Sequence, residues 1–182
     1  QDTAVITMES WDMDVYFIDG KDLKDIVHQF RHMIGRSYIP PKWAFGFGQS
    51  RWGYKSEDDV REVERRYREL GIPLDSIYLD IDYMERFKDF TVNEKTFPDF
   101  PEFVKEMQEK HIHLVPIIDA GVKIEEGYQV YEEGMEKGYF CKDEDGKEFV
   151  AAVWPGRVHF PDMLNPEARR WFGLKYKFLL DQ

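Results

Sequence analysis

Cysteine is nearly absent. Cys141 is the sole thiol in 182 residues, so no internal disulfide can form, no second cysteine completes a metal cluster, and folding needs no oxidising compartment. No apolar run approaches the ~20 residues that span a bilayer. The opening QDTAVITMESWDMDV has neither the basic start nor the apolar centre of a signal peptide. Together these absences point to a soluble protein in a cytoplasmic setting. An initial Met is also missing, which reads as a chain that begins within a longer protein or after processing. Basic residues are in deficit: 25 Lys and Arg stand against 36 Asp and Glu, a net charge of −11. That balance argues against nucleic acid or an anionic membrane as partner and favours a neutral or cationic ligand. A glycine-rich phosphate loop is lacking as well, because GFGQSRWG does not fit G-x-G-x-x-G.

What is present is an alternation of strand and helix patterns. DVYFID (Asp14 to Asp19) reads as a strand, and KDLKDIVHQFRHMIG then places Leu23, Ile26, Val27, Phe30 and Ile34 at helical spacing, with Gly35 as C-cap. Pro40 and Pro41 mark a junction, dividing the chain into 1–40 and 41–182. WAFGFGQS reads as a short strand. Ser56 caps a helix with Val60, Val63, Tyr67 and Leu70 on one face, closed by Gly71 and Pro73. DSIYLDI is a second strand, and PDFPEFVKEMQEK a helix with Phe100, Phe103, Val104 and Met107 inward. HIHLVPIID is the third strand, apolar enough to be buried on both faces. A long irregular excursion from about 120 to 164 follows, with a small hairpin turning at Asp145 and Gly146; Asn165 and Pro166 then open a last helix. Strands recur roughly every 30 to 35 residues, the spacing of a (β/α)8 barrel. A complete doubly wound sheet is the rival.

In either fold the C-terminal ends of parallel strands face the ligand. Those ends carry Gln49 to Trp52, then Asp80 and Asp82 flanking Ile81, then Ile118 and Asp119. Because side chains alternate along a strand, Asp80 and Asp82 share a face and Ile81 takes the other. Carboxylates at such a rim suit divalent metal binding, acid–base chemistry or a grip on sugar hydroxyls.

The segments WAFGFGQSRWGY, IPLDSIYLDIDYMERFKDFTVNEKTFPDFPEFV, HLVPIIDAGV and VWPGRVHFPD, in that order, resemble the start of the catalytic barrel of glycoside hydrolase family 31, the α-glucosidase family. The resemblance covers Trp43 to Gln182. It implies an α/β fold consisting of the first three βα units of a (β/α)8 TIM barrel, and the part before Pro40 resembles the tail of an N-terminal β-sandwich domain. It also implies a retaining exo-α-glucosidase whose substrate is an α-glucoside and which needs no cofactor. Asp80 resembles the family carboxylate that holds hydroxyls of the terminal glucose, with Ile81 packed beside it. Ile117 and Trp154 match apolar residues lining the same subsite, and Trp52 matches an aromatic at the edge of the next. Asp82 and Asp119 read as supports. The family's nucleophile and acid/base aspartates match nothing here and are expected after residue 182, so this segment by itself is expected to be inactive and to depend on the rest of the barrel and the N-terminal domain.

Two further readings from the same residues are a non-catalytic carbohydrate-binding domain and an α-xylosidase of the same family. An anion site at the start of the SEDDVREV helix, which a nucleotide protein would need, is opposed by Glu57, Asp58 and Asp59. His28 and His32 lie one helical turn apart, but no third ligand converges and a solvated face is the reading adopted. Cys141 has no base beside it and reads as packing.

Overall fold

The structure is a computed structural model and describes residues 5–9 and 12–181. Two compact units divide it, 1–40 and 41–182. In the first, Asp22 accepts the N–H of Asp25 and starts α1 (Leu23–Ile34), which Gly35 ends. Leu23, Val27, Phe30 and Ile34 fall on helical spacing, yet all four are exposed. The expected strand at Asp14 to Asp19 does not form. A strand exists only through its ladder, and among the described residues no other strand pairs with this stretch; the Asp19 carbonyl accepts from the Gln29 side chain at 2.7 Å instead, and Val15, Tyr16 and Phe17 are exposed.

The second unit is α/β. A 3-10 turn at Lys42–Phe45 takes up the start of the expected first strand, leaving β1 as Gly48–Ser50. β2 (Ser76–Asp80) and β3 (His113–Pro116) complete a parallel sheet in the order β1-β2-β3. Between them run α2 (Glu57–Glu69) and α3 (Phe100–Glu109). Ser56 and Asp59 close a capping box on α2, whose acidic first turn and basic last turn complement the helix dipole. Val60 points into the core with Val63 and Tyr67 beside it, whereas Leu70 is the C-cap residue and faces solvent, contrary to the helical spacing. Asp99 accepts the N–H of Glu102 to start α3, and Phe100, Phe103 and Met107 meet Ile77, Leu79 and Tyr83 beneath it. Each such buried side chain contributes about 2–3 kcal/mol. Arg61 on α2 pairs with Glu106 on α3 at 2.8 Å and laces the two helices together.

β3 is half-buried along its length rather than covered on both faces. Among the described residues only β2 pairs with it, and the ring of Trp43 stacks on His113 at 4.0 Å.

The stretch that reads as irregular is in fact built. β4 (Val122–Lys123), β5 (Ala151–Val153) and β6 (Gly156–His159) form an antiparallel sheet ordered β4-β6-β5, and α4 (Gln129–Lys137) lies between β4 and β5 in the chain. The hairpin around Asp145 and Gly146 is present, with Asp143 N–H donating to Lys147 O at 2.8 Å. Cys141 sits half-buried there, its thiol 3.7 Å from Pro161 O and its pKa raised by burial. α5 (Pro166–Lys175) starts at Asn165 and packs Trp171 and Phe172 against Phe90, Tyr128 and Phe140; α6 (Lys177–Leu180) follows. Glu133 of α4 receives both Trp171 Nε1 at 2.9 Å and Lys175 Nζ at 2.6 Å.

Candidate functional site

The parallel sheet delivers its strand ends to one rim. At β2 the chain leaves extended geometry at Asp80, which has φ +57° and accepts the N–H of Ile81 on its own Oδ1 at 2.8 Å. Asp is one of the few residue types that tolerate the left-handed region, because its short side chain can make this local bond. Strand alternation therefore stops here and cannot carry Asp82 to the face of Asp80; that expectation is corrected. Ile81 is buried, Asp82 half-buried. Burial raises the pKa of Asp82, against the pull of the Lys55 ammonium and a backbone hydrogen bond from Gly53, and the charge of Asp80 adds to the rise. One oxygen of Asp82 has no hydrogen-bond partner among the described residues.

At the end of β3 two tethers hold the chain. Tyr83 donates its hydroxyl to Ile117 O at 2.7 Å, and Asp119 N–H donates to Asp89 Oδ1. Asp89 is buried, and its own carbonyl accepts the Tyr128 hydroxyl at 2.8 Å. Burial pushes the Asp89 carboxyl up to about 7, with the charge of Asp119 acting in the same direction and the N–H of Asp119 against it. Asp119 is itself raised, by burial first and then by Asp80. Asp80, Asp82 and Asp119 therefore share one electrostatic neighbourhood.

Beside them lies a cavity of about 690 Å³, within the range of small-ligand sites. Asp82, Lys55 and Arg86 line it from the loops of the parallel sheet, Lys123 and Trp154 from the antiparallel sheet. Trp154 and Pro155 form the two-residue turn between β5 and β6, which Gly156 permits with φ +99°, and Trp154 is 68% exposed. Trp52 and Ile117 are exposed on the rim; neither they nor Asp80 and Ile81 line this cavity. His28 and His32 lie in the other unit as an edge-to-face pair on an exposed helix face.

Residues 37–182 match the glycosyl hydrolases family 31 TIM-barrel domain. The chain belongs to glycoside hydrolase family 31. α-Glucosidase 2 of Bacillus thermoamyloliquefaciens is 40% identical over 180 residues, covering 99% of this chain and 23% of that protein. Lysosomal α-glucosidase of Mus musculus is 36% identical over 163 residues, covering 88% and 17% respectively. The solved DNJ-bound glucosidase II α subunit is 35% identical with a TM-score of 0.80, covering 84% of this chain and 16% of that one. The chain thus spans less than a quarter of the length of the curated relatives named here.

Several residues in and around this cavity escape sequence reasoning. Lys55, Arg86 and Lys123 carry no pattern that singles them out in the sequence, yet all three line the cavity. Asp89 lies in the DFT stretch that follows DIDYM, but a polar residue in a loop carries no mark of burial. Tyr83, Phe97 and Met84, all buried around that loop, were the available hint that it is packed inward.

Proposed function

We propose that this chain is part of a retaining exo-acting α-glucosidase that releases terminal non-reducing glucose from maltose- or isomaltose-type oligosaccharides. In this reading 41–182 supplies the first three βα units of a (β/α)8 barrel, and 1–40 the tail of a β-sandwich domain with its connecting helix. The excursion from about 120 to 164 walls the pocket. Asp80 grips hydroxyls of the terminal glucose, Ile81 packs beneath it, Ile117 and Trp154 offer apolar faces to the ring, and Trp52 borders the neighbouring sugar. An aromatic face suits a pyranose because its C–H groups are apolar on one side. The nucleophile and acid/base, which a retaining enzyme sets about 5 Å apart, belong to later parts of the barrel.

The observation that supports this most is Asp80 at the C-terminal end of a parallel strand, within electrostatic reach of Asp82 and Asp119, in a family 31 chain. The test is hydrolysis of maltose and isomaltose by the full-length protein, with Asp80→Ala alongside. Glucose released in the α configuration, with activity lost in the variant, supports the reading. Hydrolysis of neither sugar removes it in favour of a binding domain or another substrate.

A further inference from the structure

Two loops that wall the cavity meet at one carboxylate. Glu125, just beyond β4, receives Lys123 Nζ at 3.0 Å, Lys88 Nζ at 3.4 Å and the Arg86 guanidinium. The hydrogen bonds from Lys123 and Arg86 draw its pKa down to about 2. Lys88 is an unusual participant, with its side chain only 8% exposed; it also reaches Glu85 at 3.1 Å and lies over the Tyr128 ring. Lysines are rarely so buried without partners. Arg86 and Phe87 both have positive φ, +51° and +60°, a region that bulky residues occupy only where their surroundings hold them.

The consequences run along the backbone into the hairpin. Lys123 pairs with Val158, and Ile124 N–H donates to Arg157 O at 3.0 Å, so the residues just before Glu125 are bonded to β6, which its turn joins to Trp154. Arg86 and Phe87 form one wall of the cavity, Lys123 and Trp154 another.

We propose that Glu125 is a positioning residue that clasps the β5–β6 hairpin to the loop following β2 and thereby fixes Trp154 at the distance from that loop at which the sugar is held. The clasp sets substrate affinity rather than the chemical step. This rests on the α-glucosidase reading above. Because its three arms are ionic and only partly buried, its grip weakens as salt rises.

The experiment measures kcat and KM of the full-length protein on maltose or isomaltose, whichever it hydrolyses, for wild type, Glu125→Gln, Trp154→Ala and the double variant. Glu125→Gln is expected to raise KM about fivefold, roughly the worth of one such ion pair, with kcat within about twofold. In the Trp154→Ala background the same substitution is expected to change KM less than about twofold, because the two act through one contact. Added salt raises the wild-type KM and leaves that of Glu125→Gln level. Should Glu125→Gln fail to fold, Lys88→Gln cuts an arm that crosses between the two loops without lining the cavity, and is expected to give the same pattern. An unchanged KM, or an equal rise with and without Trp154, overturns the proposal. If wild type hydrolyses neither sugar, the α-glucosidase reading fails separately, and amide exchange over 151–159 decides the clasp. Faster exchange there in Glu125→Gln upholds it, and unchanged exchange overturns it.

Discussion

Asp89, only 1% exposed, accepts the backbone N–H of Asp119 at 2.9 Å and so ties the loop after β2 to the end of β3. Its carboxyl, raised by burial to about 7, keeps its proton in the folded chain over a range where the unfolded chain, near the ordinary ~3.9, has lost it. The resulting stabilisation is complete below about pH 4 and is lost as pH rises through about 7. Asp89→Asn keeps an acceptor for Asp119 and cannot ionise. Thermal unfolding of the full-length protein across this range is expected to show wild type losing ground to the variant as pH rises; a constant difference between them would contradict the assignment.

Gly134 in α4 touches a ring. A Cβ built there lies 2.3 Å from Cζ of the buried Phe140. Replacing a helical glycine by alanine ordinarily gains about 1 kcal/mol, but overpacking a filled core costs about 1–3 kcal/mol. Gly134→Ala is expected to lower the melting temperature, and Phe140→Leu to restore part of it. A higher melting temperature for Gly134→Ala alone would show that the ring yields freely.

Trp154 is exposed and belongs to neither buried cluster. Removing it costs little stability, within about 0.5 kcal/mol as at other surface positions. Under the proposed function Trp154→Ala raises KM for the glucoside about tenfold, the loss of one aromatic face. Unchanged KM alongside an unchanged melting temperature would remove this ring from the site.

At the start of α2, Asp59 Oδ2 accepts the N–H groups of Lys55 at 2.9 Å and Ser56 at 3.1 Å, while the return bond from Asp59 N–H to Ser56 Oγ is a long 3.4 Å. Asp59→Ala is therefore expected to cost about 1–2 kcal/mol and Ser56→Ala less, although Ser56 is the formal cap. Thermal denaturation of the two variants gives the order directly, and the reverse order would place the cap's strength in the serine.

Much of this architecture is legible in the sequence where local chemistry and tertiary packing agree. Ser56, and Asn165 with Pro166, announce two helix starts, and the apolar spacing of Phe100, Phe103 and Met107 gives the buried face of α3. Legibility fails where structure comes from partners distant in sequence. Asp14 to Asp19 has strand composition and no ladder, whereas β4 to β6 have a ladder but are too short to show a period. α4 starts at Tyr128 without a side-chain cap and contains Gly134, so neither signal of a helix is present. At the site, Asp80 stands out because it ends an apolar run. The alternation that would pair it with Asp82 is cancelled by one backbone angle, and the ion pairs of Glu125 with Arg86 and Lys88 join residues nearly forty positions apart.

The three parallel strands stand side by side in the order in which they occur in the chain. Each arriving strand thus finds its neighbour already made, one helix earlier, and none must wait for a later segment to fill a gap between them. Such a sheet can be laid down as synthesis proceeds, at the ~5–20 residues per second of translation, so that its order of assembly is written into its direction of manufacture.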